Sequence, residues 1–95
     1  MQISTSSNIV TINGNIKKVS DFQEIKISID TVVTQHKSIT IHIVDSLSIT
    51  SSVIGYFNKL VLIDKINIQM KIGNSQLLEL LEDLNLKSVF KARKA

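Results

Sequence analysis

Two short runs of this chain alternate with a period of two, and they limit what it can fold into. In Ile39-Thr40-Ile41-His42-Ile43-Val44 the isoleucines share one side, with Thr40 and His42 on the other. From Ile66 to Ile72, Ile66, Ile68, Met70 and Ile72 share a side, and Asn67, Gln69 and Lys71 oppose them. Successive strand side chains point to opposite faces. A parallel sheet covered on both faces reads as a near-continuous apolar run, so these half-polar strands predict one covered face and one wet face. Segments of helical period lie between the strands, and that order implies right-handed crossovers and parallel pairing. The expectation is a two-layer α/β domain, with a mostly parallel mixed sheet of about five strands and its helices on one face.

The remaining elements follow from the same two periods. The Ser/Thr/Asn cluster at residues 4–8 predicts a turn between a short first strand and a strand from Ile9 to Ile16, with Gly14 as a bulge or a bend. Ser20-Asp21-Phe22-Gln23 has the capping-box pattern, Ser20 as cap and Gln23 reaching back. It opens a helix with an apolar stripe of Phe22, Ile25, Ile29, Val32 and Val33, ending near Gln35 or His36. A strand over Ser38 to Val44 precedes a helix over Ser51 to Asp64, whose inward face is Val53, Phe57, Leu60 and Val61. Ile54, Tyr56, Leu62 and Ile63 flank that stripe, a surplus that suits either a partner surface or a deeply buried helix. Gly73 and Asn74 break the strand that starts at Ile66. Ser75 to Asn85 is a third helix with Leu77, Leu78, Leu81 and Leu84 inward, and Ser88 to Lys91 a short last strand.

Length and charge narrow the function classes. At 95 residues the chain is a single domain, 1–95, large enough to fold without a staple. It has no cysteine, hence no disulfide framework and no thiolate metal site. The first residues, Met1 to Asn8, lack a basic region followed by an apolar run, and no apolar run approaches the roughly 20 residues of a membrane span. A cytoplasmic protein with no membrane insertion is expected. The net charge of +3 comes largely from Lys87, Lys91, Arg93 and Lys94, read as a solvated tail. The few aromatics sit in apolar patterns rather than among the basic residues, so no nucleic-acid partner is expected.

Catalysis has little to stand on. An enzyme would need a nucleophile with its base, paired carboxylates or a metal set. His36 and His42 are far from any ligand-type cluster. Glu79, Glu82 and Asp83 fall on an outer helix face. There is no nucleophile elbow and no phosphate-binding glycine loop. The expectation is a non-enzyme with no catalytic residue, no metal and no cofactor.

One segment stands apart. Ser48-Ile49-Thr50-Ser51-Ser52-Val53-Ile54-Gly55 joins the Ile39–Val44 strand to the second helix, and it crowds hydroxyls at a helix mouth. The first N–H groups of a helix have no internal partner, and the dipole there favours negative charge. A phosphate on one of these hydroxyls would be well placed. Ser and Thr are also the ordinary caps of helices.

The element order, and the segment Ile49 to Gly55 in particular, resemble the sulfate transporter and anti-sigma factor antagonist (STAS) domain. That family's signature is a hydrophobic residue followed by Asp-Ser-Ser/Thr-Gly-Leu-Gly, opening a helix after the central strand. Ile49, Ser51, Ser52, Ile54 and Gly55 match it; Thr50 stands at the Asp and Val53 at the first Gly. Asp45-Ser46 is another Asp-Ser pair, but it lies too early. The leucine-rich Leu77 to Phe90 is also similar to the family's later helix and the turn after it.

The resemblance implies a bacterial, anti-sigma factor antagonist-like signalling module that works by protein–protein interaction. It implies Ser51 as the phosphoacceptor candidate. The docking surface expected from it is Asp45, Ser46, Ser48, Thr50, Ser51, Ser52, Ile54 and Tyr56. The implied partners are a serine kinase acting as anti-sigma factor, or a phosphatase-type regulator. The alternative is a cytoplasmic accessory subunit of a membrane transport complex.

Overall fold

The computed structural model describes residues 1–95. The elements run β1 (Gln2–Ser6), β2 (Ile9–Asn13), α1 (Val19–Val33), β3 (Ser38–Ile43), α2 (Ser51–Leu62), β4 (Asn67–Ile72), α3 (Ser75–Asp83) and β5 (Ala92–Lys94). They form one five-stranded sheet in the order β1-β2-β3-β4-β5. The β1–β2 pair is antiparallel, and the other three pairs are parallel. This is the expected two-layer mixed sheet. The two-residue hairpin turn is closed by Ser7 in the left-handed region, at φ 55°.

Period-two alternation decides what the sheet buries. Val10 and Ile12, Ile39, Ile41 and Ile43, and Ile68, Met70 and Ile72 all enter the core. Between them, Thr40, His42 and Lys71 are half-buried and Asn67 and Gln69 exposed. The helices close the core with Ile25 and Ile29 of α1, Val53, Phe57 and Leu60 of α2, and Leu77 and Leu81 of α3. Phe57 meets Phe90 edge to face, ring centroids 5.8 Å apart. Such pairs add about 0.5–1.5 kcal/mol beyond the area they bury.

Three expectations are corrected. α1 starts at Val19, so Ser20 lies inside it and is not its cap. Asp21 acts instead: its buried carboxylate accepts the N–H groups of Lys17 and Lys18, each at 2.9 Å. The charged carboxylate makes stronger, charge-assisted hydrogen bonds than a hydroxyl, and it suits the positive end of the helix. Second, Ser88 to Lys91 is a turn, in which Phe90 donates to the Leu86 carbonyl and Lys91 sits at φ 49°. The apolar residues that suggested a strand there serve as a plug, with Phe90 fully buried. Third, the basic end is solvated, with Lys87, Lys91, Arg93 and Lys94 all exposed, but it ends in an ordered strand rather than a tail. Ala92–Lys94 is β5, paired with Met70 to Ile72. Lys91 Nζ reaches Asn67 Oδ1 at 2.7 Å, and Lys94 Nζ reaches the Gly73 carbonyl at 2.8 Å.

Gly73 fixes the end of the sheet that carries the hydroxyl-rich loop. Its N–H donates to the Ile43 carbonyl at 2.9 Å. A Cβ at this position would stand 1.8 Å from the Val44 carbonyl oxygen. The β4–α3 loop therefore lies directly on the exit of β3.

Candidate docking site at the mouth of α2

The loop from Val44 to Thr50 is tied by side-chain hydrogen bonds to the segment Gly14–Ile16, which leads into α1. Asp45 Oδ1 accepts the Gly14 N–H at 2.7 Å. The Leu47 N–H donates to Asn15 Oδ1 at 2.8 Å. Ser46 is completely buried; its Oγ accepts the Ile16 N–H at 3.1 Å and donates to the Ser48 carbonyl at 2.7 Å. Ser48 Oγ donates to the Ile16 carbonyl at 2.9 Å. Polar side chains thus do here what a further ladder would do in a sheet. They leave no buried side-chain polar atom unpaired.

The helix mouth divides its hydroxyls by task. Thr50 is the N-cap, and its Oγ1 accepts the Val53 N–H at 3.3 Å. Ser51 and Ser52 occupy the first turn and are exposed. A small cleft beside them is lined by Lys17, Lys18, Val19 and Phe22 from the start of α1 and by Thr50 and Ser52 from the start of α2. Two helix N-termini and two lysines therefore border the same cleft, so the local potential is positive.

Of the residues expected to dock a partner, the structure places Thr50, Ser51 and Ser52 at the mouth of α2 beside this cleft, whereas Asp45 and Ser48 are held in the preceding loop by their bonds to Gly14 and Ile16. Ser46 and Tyr56 are corrected, because both are buried. Ser46 is the internal tie just described. Tyr56 turns toward α1: its ring meets Phe22 edge to face at 6.3 Å, and its hydroxyl donates to Asp30 Oδ1. Lys26 completes the arrangement, 2.8 Å from Asp30 and 5.8 Å above the Tyr56 ring. Burial and the Asp30 carboxylate hold the Tyr56 phenol far above its ordinary value, so it stays protonated. Burial pushes the Asp30 carboxyl up, but the hydrogen bonds from Lys26 and Tyr56 outweigh it and leave the group below the usual carboxylate range. Ile54 is half-buried against the core margin.

One residue lining the cleft, Val19, escaped sequence reasoning; it is 76% exposed. Leu47, in the loop that joins β3 to α2, is 53% exposed. Leu62 and Ile63, the other part of the α2 surplus, are exposed but lie at the far end of the helix, about 16 Å from Ser51 along the axis.

His36 and His42 stand apart from each other, and no group of three or more His, Cys, Asp or Glu side chains is gathered closely enough to hold a metal ion. No helix is long and apolar enough to cross a membrane. No family model and no curated protein matches the chain. Among solved structures, the chain is similar to that described as the NMR structure of the protein TM1081, with a TM-score of 0.67 and 15% identity over 98% of this chain and 79% of that one. At that identity the likeness extends to the fold alone.

Proposed function

We propose that this protein is a non-enzymatic, cytoplasmic interaction module of bacterial signalling, of the anti-sigma factor antagonist type. Its docking surface is the rim formed by Lys17, Lys18 and Val19 with Thr50 to Ser52, and phosphorylation of Ser51 switches it. One observation carries the reading. Thr50 supplies the helix cap, which leaves the exposed Ser51 hydroxyl in the first turn for modification. The unmodified rim is basic and apolar, and it suits an acidic partner surface with an apolar centre. A phosphate on Ser51 would add a charge of about −1.5 to −2 and cancel the positive potential of Lys17, Lys18 and the two helix mouths.

The alternative, a constitutive accessory subunit of a membrane transport complex, draws on Thr50. Its hydroxyl is committed to Val53, and it presents no carboxylate where the resembling family has one.

The experiment is mass spectrometry of the protein isolated from its native cells, coupled to capture by the wild type, Ser51→Ala and Ser51→Asp. Phosphate on Ser51, with a serine kinase or phosphatase retained by Ser51→Ala and lost by Ser51→Asp, supports the switch. The same transport subunit retained by all three proteins supports the alternative.

A further inference from the structure

Residues 1–16, Met1 to Ile16, contain no charged side chain, although the 95-residue chain has 11 Lys and Arg and 8 Asp and Glu. They hold the whole β1–β2 hairpin, and β1 is one edge of the sheet. Edge strands present unpaired backbone groups, and native sheets guard them with charges, proline, bulges or extreme shortness. The opposite edge is guarded in this way: β5 has three residues, two of them Arg93 and Lys94. β1 has none of these devices. Gln2-Ile3-Ser4-Thr5-Ser6 is uncharged and lacks proline, and it pairs with β2 without interruption from Gln2↔Asn13 to Ser6↔Ile9, so it has no bulge.

The backbone groups left open can be named. The Asn8 and Ile12 carbonyls accept from Thr40 and Val44. Backbone groups of a strand alternate in direction, so Val10 and Ile12 face β3, whereas Ile9, Thr11 and Asn13 face β1. Ser6, Ser4 and Gln2 answer those three. Ile3 and Thr5 are left with their N–H and C=O groups directed away from the sheet. These two residues stand symmetrically about Ser4.

The helix above the edge carries a single charge on this side, Glu24. Phe22, Lys26 and Asp30 turn toward α2, and Ile25 and Ile29 toward the sheet. The opposite flank of α1 carries Glu24, Ile27 and Thr31, and Ile27 is 69% exposed.

We propose that β1 pairs antiparallel with β1 of a second copy of this chain, about a two-fold axis at Ser4, so that two five-stranded sheets continue into one. Ile3 of each copy then exchanges N–H and C=O with Thr5 of the partner subunit, giving about four backbone hydrogen bonds. A two-fold contact must fit its own surface. This edge does so, because its open groups are symmetric about Ser4 and no charge opposes its own image along the strand. The outer flank of α1, with Ile27, borders the same contact. An interface of this length is well under the roughly 1,200 Å² of stable complexes, so the dimer is weak and concentration-dependent.

Sedimentation equilibrium of the full chain tests this. The wild type is expected to shift from monomer to dimer between roughly 10 and 500 μM, the range of a weak interface. Thr5→Pro removes an outward N–H and no bond to β2. Ser4→Lys places two ammonium groups at the axis. Each variant is expected to keep the wild-type circular dichroism and to remain monomeric at concentrations where the wild type is dimeric. A wild type that stays monomeric throughout, one that assembles beyond the dimer, or a dimer that persists in either folded variant overturns the proposal. If one variant fails to fold, the other decides.

Discussion

The buried hydroxyl of Ser46 holds the backbone N–H of Ile16 at 3.1 Å, and this bond joins the entrance of α1 to the entrance of α2. Both residues are completely buried, so water cannot replace either partner. Ser46→Ala leaves the Ile16 N–H unanswered, which costs about 1–3 kcal/mol. The expected outcome is a fall of that size in urea denaturation with native circular dichroism retained. A loss under about 0.5 kcal/mol, the level of an ordinary surface substitution, would show that the loops are held by other contacts.

Gly73 makes the tighter demand. An added Cβ meets the Val44 carbonyl oxygen at 1.8 Å, and that atom is backbone at the end of β3. Relief requires the β4–α3 loop to move off the sheet and give up its bond to Ile43. Gly73→Ala should cost about 3 kcal/mol or more, the upper range of overpacking. Gly55→Ala is the control: its Cβ would meet nothing within 4 Å, and alanine is the better helix former by about 1 kcal/mol. The two substitutions should therefore shift the melting temperature in opposite directions.

The pH dependence of stability should report Asp21. The N–H donors of Lys17 and Lys18 lower its folded-state pKa below the ordinary 3.8. The stabilisation is then fully present above the unfolded value and is lost as the pH falls through the folded one. Asp21→Asn should be less stable than the wild type at about pH 6, with the gap narrowing toward about pH 2 as the wild-type carboxylate takes up its proton. A gap of equal size at both pH values would assign the effect of Asp21 to packing.

Phe57 and Leu81 hold the helix layer on the sheet, and both are fully buried. Truncating either to Ala should cost on the order of 3 kcal/mol, from lost transfer energy and the cavity left behind. Denaturant melts that move by less than about 1 kcal/mol would mean that the neighbouring side chains refill the space.

What the sequence made legible was the part ruled by periodicity. Ile41, Ile43, Ile68 and Met70 alternate with polar residues because a sheet has two faces, and that alternation predicted which of them are buried. The inward faces of α2 and α3 follow in part: Val53, Phe57, Leu60, Leu77 and Leu81 are buried, whereas Leu84, expected inward, is 47% exposed because α3 ends at Asp83 and leaves it as the C-cap. The ends of elements were less legible, because they depend on partners distant in sequence. Ser20 has the form of a cap, yet the carboxylate of Asp21, one residue on, serves Lys17 and Lys18 better. Ser88 to Phe90 has the composition of a strand, yet Phe90 is needed beneath Phe57. The site shows the same limit. The placement of Ser51 at a helix mouth could be read from its neighbours. The burial of Ser46 could not, because its partner Ile16 is 30 residues away, and the same holds for Tyr56, whose hydroxyl is claimed by Asp30 across two helices.

The division of work between Thr50 and Ser51 can be measured in the isolated protein. Thr50 caps α2, so Thr50→Ala should cost about 1 kcal/mol, the usual worth of a hydroxyl cap. Ser51 is exposed and caps nothing, so Ser51→Ala should change stability by less than about 0.5 kcal/mol. Ser51→Asp places a negative charge against the positive end of the helix dipole and should add about 0.3–1 kcal/mol at low ionic strength, fading as salt is raised. Thermal melts of the three variants in low and high salt give the whole pattern. If Ser51→Ala proves as costly as Thr50→Ala, the Ser51 hydroxyl is structural, and a kinase would have to break the helix start to reach it. If Ser51→Asp destabilises at low salt, the helix mouth does not welcome an anion, and a phosphate at this position would act by unfolding the first turn rather than by changing the charge of an intact rim.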